Sequence, residues 1–88
     1  MGRLGVRVLV LYGRPGCHLC DEARAAVAPL VAEAGDVELV EVDIESDERL
    51  LREYLERIPV LELEGRVIGE LVPDPGSLSA ALLHTSAR

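Results

Sequence analysis

The sequence predicts an α/β protein with a four-stranded mixed sheet and helices on both faces. Three segments carry this prediction: a β-rich apolar run at residues 5–12, an alanine-rich helical stretch from about residue 17 to residue 34, and two strand-forming runs around the Glu64-Gly65 pair. The order is therefore strand, helix, strand, helix, hairpin, helix. A right-handed helical crossover between the first two strands should make them parallel, and the hairpin should add antiparallel to the central strand.

Length and composition narrow the class of protein. The chain has 88 residues, so we expect residues 1–88 to form one domain with one core. Apolar residues make up 49% of the chain but include neither Phe nor Trp, which predicts an aliphatic core. The net charge of -7 argues against a nucleic-acid partner, because phosphate binding requires a basic surface. The N-terminal apolar run is short and interrupted by Arg7, so we expect neither a signal peptide nor a membrane span.

The first half of the chain has clear local signals. Residues 5–12 are nearly continuous β-formers, which is typical of a central strand buried on both faces. Turn-forming residues 13–16 follow, and then a helix with apolar positions at three- and four-residue spacing. Gly35 stands where a C-terminal cap belongs. Pro29 lies inside the helix and should kink it or remove one backbone hydrogen bond.

A second strand is predicted at residues 37–43 and a second helix after it. Ser46 is the predicted cap of this helix, and Asp47 and Glu48 favour its first turn because of the helix dipole. Pro59 is expected to end it. The predicted buried stripe consists of Leu50, Leu51, Tyr54, Leu55 and Ile58.

The last third of the sequence predicts a hairpin and a short helix. Residues 60–64 and 66–72 are the two predicted strands, joined by a tight turn at Glu64-Gly65. Asp74 then offers a carboxylate cap, with proline nearby, for a helix that begins at about residue 75. This helix completes the predicted fold.

The segment with the clearest chemistry is Cys-His-Leu-Cys at residues 17–20, where a strand and turn pass into a helix. Residues three apart in the first helical turn share a face, so the sulfurs of Cys17 and Cys20 can reach disulfide distance. Cys17 lies at the positive end of the helix dipole beside unpaired amides, which favours its thiolate. We therefore predict Cys17 as the nucleophile and the more buried Cys20 as the thiol that resolves the mixed disulfide.

Two neighbouring residues are candidates for binding or tuning roles. Arg14 precedes Cys17 by three residues and can add a favourable charge to the thiolate or to an anionic partner. His18 can do the same when protonated. The simpler alternatives are that Arg14 is a solvated turn residue and that His18 is an exposed spacer within the motif.

Other interpretations of the cysteine pair stay open. Tetrahedral zinc requires four ligands and only His18 and His84 remain to accompany the cysteines, so we expect no metal. Two buried, unreactive cysteines on one helix also fit the spacing, although the preceding strand and turn favour a redox pair. Two cysteines are too few to staple a small secreted protein, which predicts a cytoplasmic location.

Taken together, these features resemble the thioredoxin superfamily, and most closely its small glutaredoxin-like proteins. The likeness rests on the strand that ends in Tyr12, the turn at 13–16, the motif at 17–20, and the Arg-Ile-Pro-Val run at 57–60. It covers nearly the whole chain. The resemblance implies a thioredoxin-like fold of order β-α-β-α-β-β-α and a thiol-disulfide oxidoreductase that acts on disulfides of proteins or small thiols.

The resemblance also implies roles outside the cysteine motif. Pro59 would be cis and lie beside the sulfurs, and the backbone of Ile58 would bind an extended peptide or glutathione. Gly69 matches the first of two glycines that receive glutathione in glutaredoxins, but Glu70 replaces the second. A carboxylate at this position would repel an anionic ligand. Glutathione is thus one candidate co-substrate, a reductase or protein donor is the other, and no further cofactor is implied.

The same fold also admits functions without turnover. One is a redox-inactive binding module, and another is a scaffold in which Cys17 and a second chain hold a metal or an iron-sulfur cluster. The presence of the resolving Cys20 favours the enzyme.

Overall fold

A computed structural model describes residues 5–83 of the chain. The strands of this part are β1 (Arg7–Gly13), β2 (Val37–Asp43), β3 (Val60–Leu63) and β4 (Arg66–Glu70). The helices are α1 (His18–Ala34), α2 (Glu48–Tyr54) and α3 (Pro75–Leu83), with a 3₁₀ turn at Ile44–Ser46. The sheet order is β2-β1-β3-β4, with β1 and β2 parallel and the other neighbours antiparallel. The predicted element order and mixed four-stranded sheet are confirmed.

Strand β1 separates two layers of packing, because neighbouring residues of a strand point to opposite faces. Leu9 and Leu11 face the main core, which they share with α1 and α3, and each is at most 2% exposed. Tyr12 faces the other side and packs near α2. The main core consists of Leu9, Leu11, Ala23, Val27, Leu61, Leu78 and Leu82. It is aliphatic, as predicted.

A second, smaller cluster lies at the carboxyl end of β1. Its buried members are Cys20, Ile44 and Ile58. Tyr12, Cys17, Leu50, Leu51 and Tyr54 are partly buried against them. The cysteine motif is therefore attached to α2 and to the segment before β3 by direct packing.

Helix α1 begins and ends as predicted. Cys17 is its N-terminal cap, and Gly35 closes it with a φ of 78° and an amide that donates to the carbonyl of Val31 at 3.2 Å. The helix continues through Pro29 to Ala34, so this proline does not end it.

The predicted cap of α2 was wrong by one residue. Asp47 caps this helix, with its Oδ1 accepting from the amide of Arg49 at 2.8 Å. Ser46 belongs to the 3₁₀ turn, where its hydroxyl donates to the carbonyl of Asp43 at 2.7 Å. Because the Ser46 hydroxyl is used within that turn, the next residue, Asp47, provides the cap of α2.

Helix α2 is also shorter than predicted. It ends at Tyr54, and the turn that follows leaves Leu55 42% exposed, so Leu55 does not belong to the buried stripe. Pro59 lies five residues beyond the last helical residue and therefore does not end the helix.

The first strand begins later than predicted and the last strand ends earlier, because the backbone leaves the extended conformation at both places. The first strand begins at Arg7 rather than residue 5, since Gly5 has a φ of 88°. β4 ends at Glu70 rather than residue 72, because Leu71 has a φ of 59°. The Leu71 amide turns inward and donates to the carbonyls of Arg57 and Pro59 at 3.2 and 2.9 Å. Asp74 caps α3 as predicted, with its Oδ2 accepting from the amide of Ser77 at 2.8 Å.

The side chain of Arg7 joins three parts of the fold. Its guanidinium donates to both carboxylate oxygens of Asp36 at 3.1 and 3.0 Å. It also donates to the carbonyls of Ala81 and Leu82 at 3.2 and 2.6 Å, near the end of α3. The start of β1, the loop before β2 and the last helix are thus held by one cation.

We expect Arg7→Met to lower the free energy of unfolding by roughly 1–3 kcal/mol, because charge-assisted hydrogen bonds are lost at a half-buried site. Urea denaturation measures this change. Arg49→Met is the matched control, since Arg49 is exposed on α2, and we expect an effect below about 0.5 kcal/mol. Equal losses in the two variants would contradict the anchoring role of Arg7.

Candidate active site

Cys17 and Cys20 form a disulfide at the start of α1, with their Cα atoms 5.2 Å apart. The two residues differ in their surroundings. Cys17 is partly exposed at the cap position, and its Sγ accepts a hydrogen bond from the amide of Cys20 at 3.0 Å. Cys20 is 1% exposed and belongs to the smaller cluster. The predicted pairing and the predicted difference in burial are both present.

Gly13 makes room for the sulfur of Cys20. A Cβ atom at position 13 would lie 2.8 Å from the Sγ of Cys20, closer than real Cβ contacts come, and 3.2 Å from its Cβ, which is tighter than most of them. The sequence pattern indicates only that Gly13 belongs to a turn. Its position as the last residue of a buried strand before a cysteine motif was the available signal. Gly13 is therefore a positioning residue for the cysteine pair.

A pair of tyrosines packs beside the cysteines. The rings of Tyr12 and Tyr54 are 4.8 Å apart between centroids, at an interplanar angle of 38°. The Tyr12 hydroxyl donates to Oε1 of Glu62 at 3.1 Å. Burial, followed by this hydrogen bond to a carboxylate, raises the pKa of Tyr12 above its ordinary value of 10.0, because both disfavour the phenolate.

The peptide bond between Ile58 and Pro59 is cis, as the resemblance implied. Pro59 is fully buried, and the Ile58 side chain packs in the cluster that contains Cys20. The Ile58 amide donates to the carbonyl of Tyr54 at 3.0 Å. The Ile58 amide thus already has a partner within the chain, and substrate binding by the Ile58 backbone stays a prediction.

Gly69 has a packing explanation. A Cβ atom there would lie 2.8 Å from the Cβ of Pro73 and 3.6 Å from the Cδ2 of Leu78. The absence of a side chain at Gly69 thus permits the turn after β4 to fold back against α3. This close approach accounts for the glycine without a bound ligand.

Arg14 lies in the turn before the motif, and its Nε is 3.1 Å from Oε2 of Glu45. Its charge is therefore shared with a carboxylate rather than left free. Arg14 also lines a cleft of about 280 Å³ beside Cys20, together with Asp21 and Arg24. His18 is the exposed first residue of α1.

The Glu70 carboxylate is paired with the guanidinium of Arg57. Arg57 donates to its two oxygens at 3.3 and 2.8 Å, and this hydrogen bonding holds the pKa of Glu70 below its ordinary value. Arg57 also binds Glu53 at 2.9 Å and lies over the Tyr54 ring, 5.0 Å from its centroid. Nothing in the local sequence pattern around Arg57 indicates that it meets a residue thirteen positions away.

Residues 5–83 contain no group of three His, Cys, Asp or Glu side chains arranged to hold a metal ion. His84, considered above as a ligand, lies outside the described residues. None of the helices in this part of the chain has the length and apolar character needed to cross a bilayer.

The strand order, the cis proline and the cysteine pair at the start of α1 define a thioredoxin-fold protein with a dithiol-disulfide motif. Residues 8–81 match the model of the glutaredoxin-like domain (DUF836), and the chain belongs to that family. No match was found among curated protein sequences.

Solved structures support the same assignment. Protein Ne2328 from Nitrosomonas europaea, solved by NMR, is 37% identical, with a TM-score of 0.75 over 88% of this chain and 92% of that one. Protein XcR50 from X. campestris is also 37% identical, with a TM-score of 0.68 over 84% and 93% of the two chains. Mitochondrial thioredoxin 3 from Saccharomyces cerevisiae is 18% identical, with a TM-score of 0.65 over 91% and 79%, and shares the fold.

We expect Gly13→Ala to lower the free energy of unfolding of the oxidised protein by roughly 1–3 kcal/mol, because the new methyl group overlaps the Cys20 sulfur. Gly76→Ala in α3 is the control, since a Cβ there meets only the Asp74 carboxylate at 3.3 Å. Replacing Cys20 with alanine should remove most of the Gly13→Ala penalty. Additive effects of the two substitutions would show that the sulfur is not the obstacle.

We expect the absorbance of tyrosinate against pH to show Tyr12 ionising above its ordinary value. Glu62→Gln should lower the Tyr12 pKa, because a neutral amide no longer disfavours the nearby phenolate, whereas the remote Glu33→Gln should not. The contribution of Tyr12 to stability is complete below pH 10 and falls as the pH rises through its raised pKa. An unchanged titration in Glu62→Gln would contradict this assignment.

Proposed function

We propose that the protein is a thiol-disulfide oxidoreductase that cycles between a Cys17/Cys20 dithiol and the disulfide. The observation that supports this proposal is the asymmetry of the pair. Cys17 is partly exposed at the cap of α1, where the Cys20 amide donates to its sulfur, and Cys20 is buried behind it. An accessible, stabilised thiolate suits attack on a partner, and a buried neighbour suits resolution.

In the first step, the Cys17 thiolate attacks one sulfur of a partner disulfide. The Cys17 Sγ–partner bond forms as the disulfide bond of the partner breaks, and the leaving thiolate takes a proton from solvent. The product is a mixed disulfide between Cys17 and the partner. Hydrogen bonding from the Cys20 amide favours the attacking thiolate before this step.

In the second step, the Cys20 thiolate attacks the Sγ of Cys17 and releases the second partner thiol. The protein dithiol is thereby oxidised to the Cys17–Cys20 disulfide, and the partner disulfide is reduced to two thiols by two electrons and two protons. An external thiol reductant restores the dithiol through the same steps in reverse. Gly13 allows this chemistry because the Cys20 sulfur must approach β1 closely.

The partners that we propose are disulfide-bearing proteins or small disulfides, with a protein dithiol or reductase as the electron donor. Glutathione is the other candidate donor, but Gly69 gives it no support, since packing against Pro73 accounts for that glycine. The cycle suits a reducing compartment, and we propose the cytoplasm.

We expect Cys20→Ser to accumulate a mixed disulfide with 2-hydroxyethyl disulfide, visible by mass spectrometry, because the resolving thiol is missing. Cys17→Ser should form no adduct and reduce no disulfide. In the reduced wild-type protein, iodoacetamide at mildly acidic pH should label Cys17 first. Turnover by Cys17→Ser, or earlier labelling of Cys20, would contradict the proposed roles.

A further inference from the structure

Three arginines lie beside residues that pack around the cysteine pair, and each of them is ion-paired with at least one carboxylate. Arg14 and Arg24 line the cleft beside Cys20, and Arg57 covers the ring of Tyr54 in the aromatic pair. Together with five acidic side chains, these arginines form what we call the charged frame. Its acidic members are Asp21, Glu41, Glu45, Glu53 and Glu70.

On the cleft side, the charged frame contains two arginines. Arg24 contacts Asp21 and Glu41 at 2.9 Å each, so its guanidinium joins the first turn of α1 to β2. Arg14 contacts Glu45 at 3.1 Å. An anionic group that enters the cleft would therefore compete with Asp21 and Glu41 for Arg24 and would meet an Arg14 whose charge is already paired with Glu45.

On the side of the cis proline, the charged frame is completed by Arg57. This residue contacts Glu53 at 2.9 Å and Glu70 at 2.8 Å. The Glu70 contact uses two guanidinium nitrogens and both carboxylate oxygens. The fork of Arg57 that would recognise a ligand carboxylate is thus already filled from within the chain.

Three guanidinium groups and five carboxylates leave the charged frame with two negative charges in excess. The chain as a whole carries a net charge of -7, so distant residues do not reverse this sign. Exposed ion pairs contribute little to folding stability, but their summed field acts on a charged molecule that approaches the site.

We propose that the charged frame makes the redox site selective for the charge of its partner, favouring cationic and uncharged disulfides over anionic ones. This inference rests on the proposed oxidoreductase function. The physical reason is that an anionic disulfide must approach a thiolate nucleophile through a net negative field, in which each arginine of the charged frame is already paired with at least one carboxylate. A cationic disulfide meets an attractive field instead.

The size of the effect follows from Coulomb's law. Two unit charges about 10 Å apart in water alter a rate by about twofold. With two excess charges acting on one end of a disulfide, we expect roughly a tenfold difference between a cationic and an anionic disulfide at low ionic strength. Salt at about 0.5 M should reduce this difference to about twofold, because screening then acts within a few ångströms.

The test uses three small symmetrical disulfides: cystamine, which is cationic, 2-hydroxyethyl disulfide, which is neutral, and 3,3′-dithiodipropionate, which is anionic. The rate at which each oxidises the reduced full chain is divided by its rate with dithiothreitol, which corrects for intrinsic reactivity. We expect the corrected rates to fall in the order cationic, neutral, anionic. The order should weaken as salt is added.

Two variants separate electrostatics from structure. Glu70→Gln removes a negative charge and should lower the ratio of cationic to anionic rates roughly threefold, because the change slows the cation and speeds the anion, whereas Arg57→Gln should raise the ratio roughly threefold. Both lose the same ion pair, so a purely structural effect would move both ratios in one direction. Glu33→Gln has the same net charge as Glu70→Gln, but position 33 lies about 24 Å along α1 from Cys17, so we expect an unchanged ratio.

Equal corrected rates for the three disulfides would overturn charge selection while leaving the oxidoreductase function intact. The same conclusion follows if Glu70→Gln and Arg57→Gln shift the ratio in the same direction. If the reduced protein reacts with none of the three disulfides, the proposed function fails, and the inference fails with it.

Discussion

The close contact between the end of β1 and the sulfur of Cys20 is the constraint on which the site depends. Because Gly13 has no side chain, the first turn of α1 can lie against the central strand, and the Cys20 sulfur becomes buried. Cys17, at the cap, then stays at the surface with the Cys20 amide directed at its sulfur. The difference between the two thiols is therefore produced by backbone packing rather than by a charged neighbour.

Sequence patterns predicted the parts of this molecule that depend on local chemistry. The cysteine pair, the Gly35 cap and the Glu64-Gly65 turn are set by residues within a few positions of one another, and the structure contains all three. The Ser46 cap failed through local competition, because the preceding 3₁₀ turn uses that residue. The cis bond between Ile58 and Pro59 was predictable only through family resemblance, since most peptide bonds before proline are trans in folded proteins.

Local sequence patterns could not predict contacts between residues that are distant in the chain. Nothing local to Arg57 or Glu70 indicates that they meet, and Glu70 alone suggested an unpaired carboxylate at a ligand-binding corner. In the structure, the Glu70 carboxylate instead forms an ion pair with Arg57 of the same chain. The role of Gly69 also depends on tertiary packing. Its lack of a side chain makes room for Pro73, which approaches it only when β4 and α3 are packed together. The electrostatic character of the site is thus a property of the assembled fold.

The backbone conformation of Leu71 limits which residue types this fold accepts at position 71. Its left-handed backbone, with a φ of 59°, directs one amide to the carbonyls of Arg57 and Pro59 and so ties the end of β4 to the proline segment. A β-branched residue is strained in that conformation, whereas glycine or asparagine adopts it at low cost. Position 71 should therefore be restricted in mutational scans by backbone shape alone, although its side chain is 46% exposed.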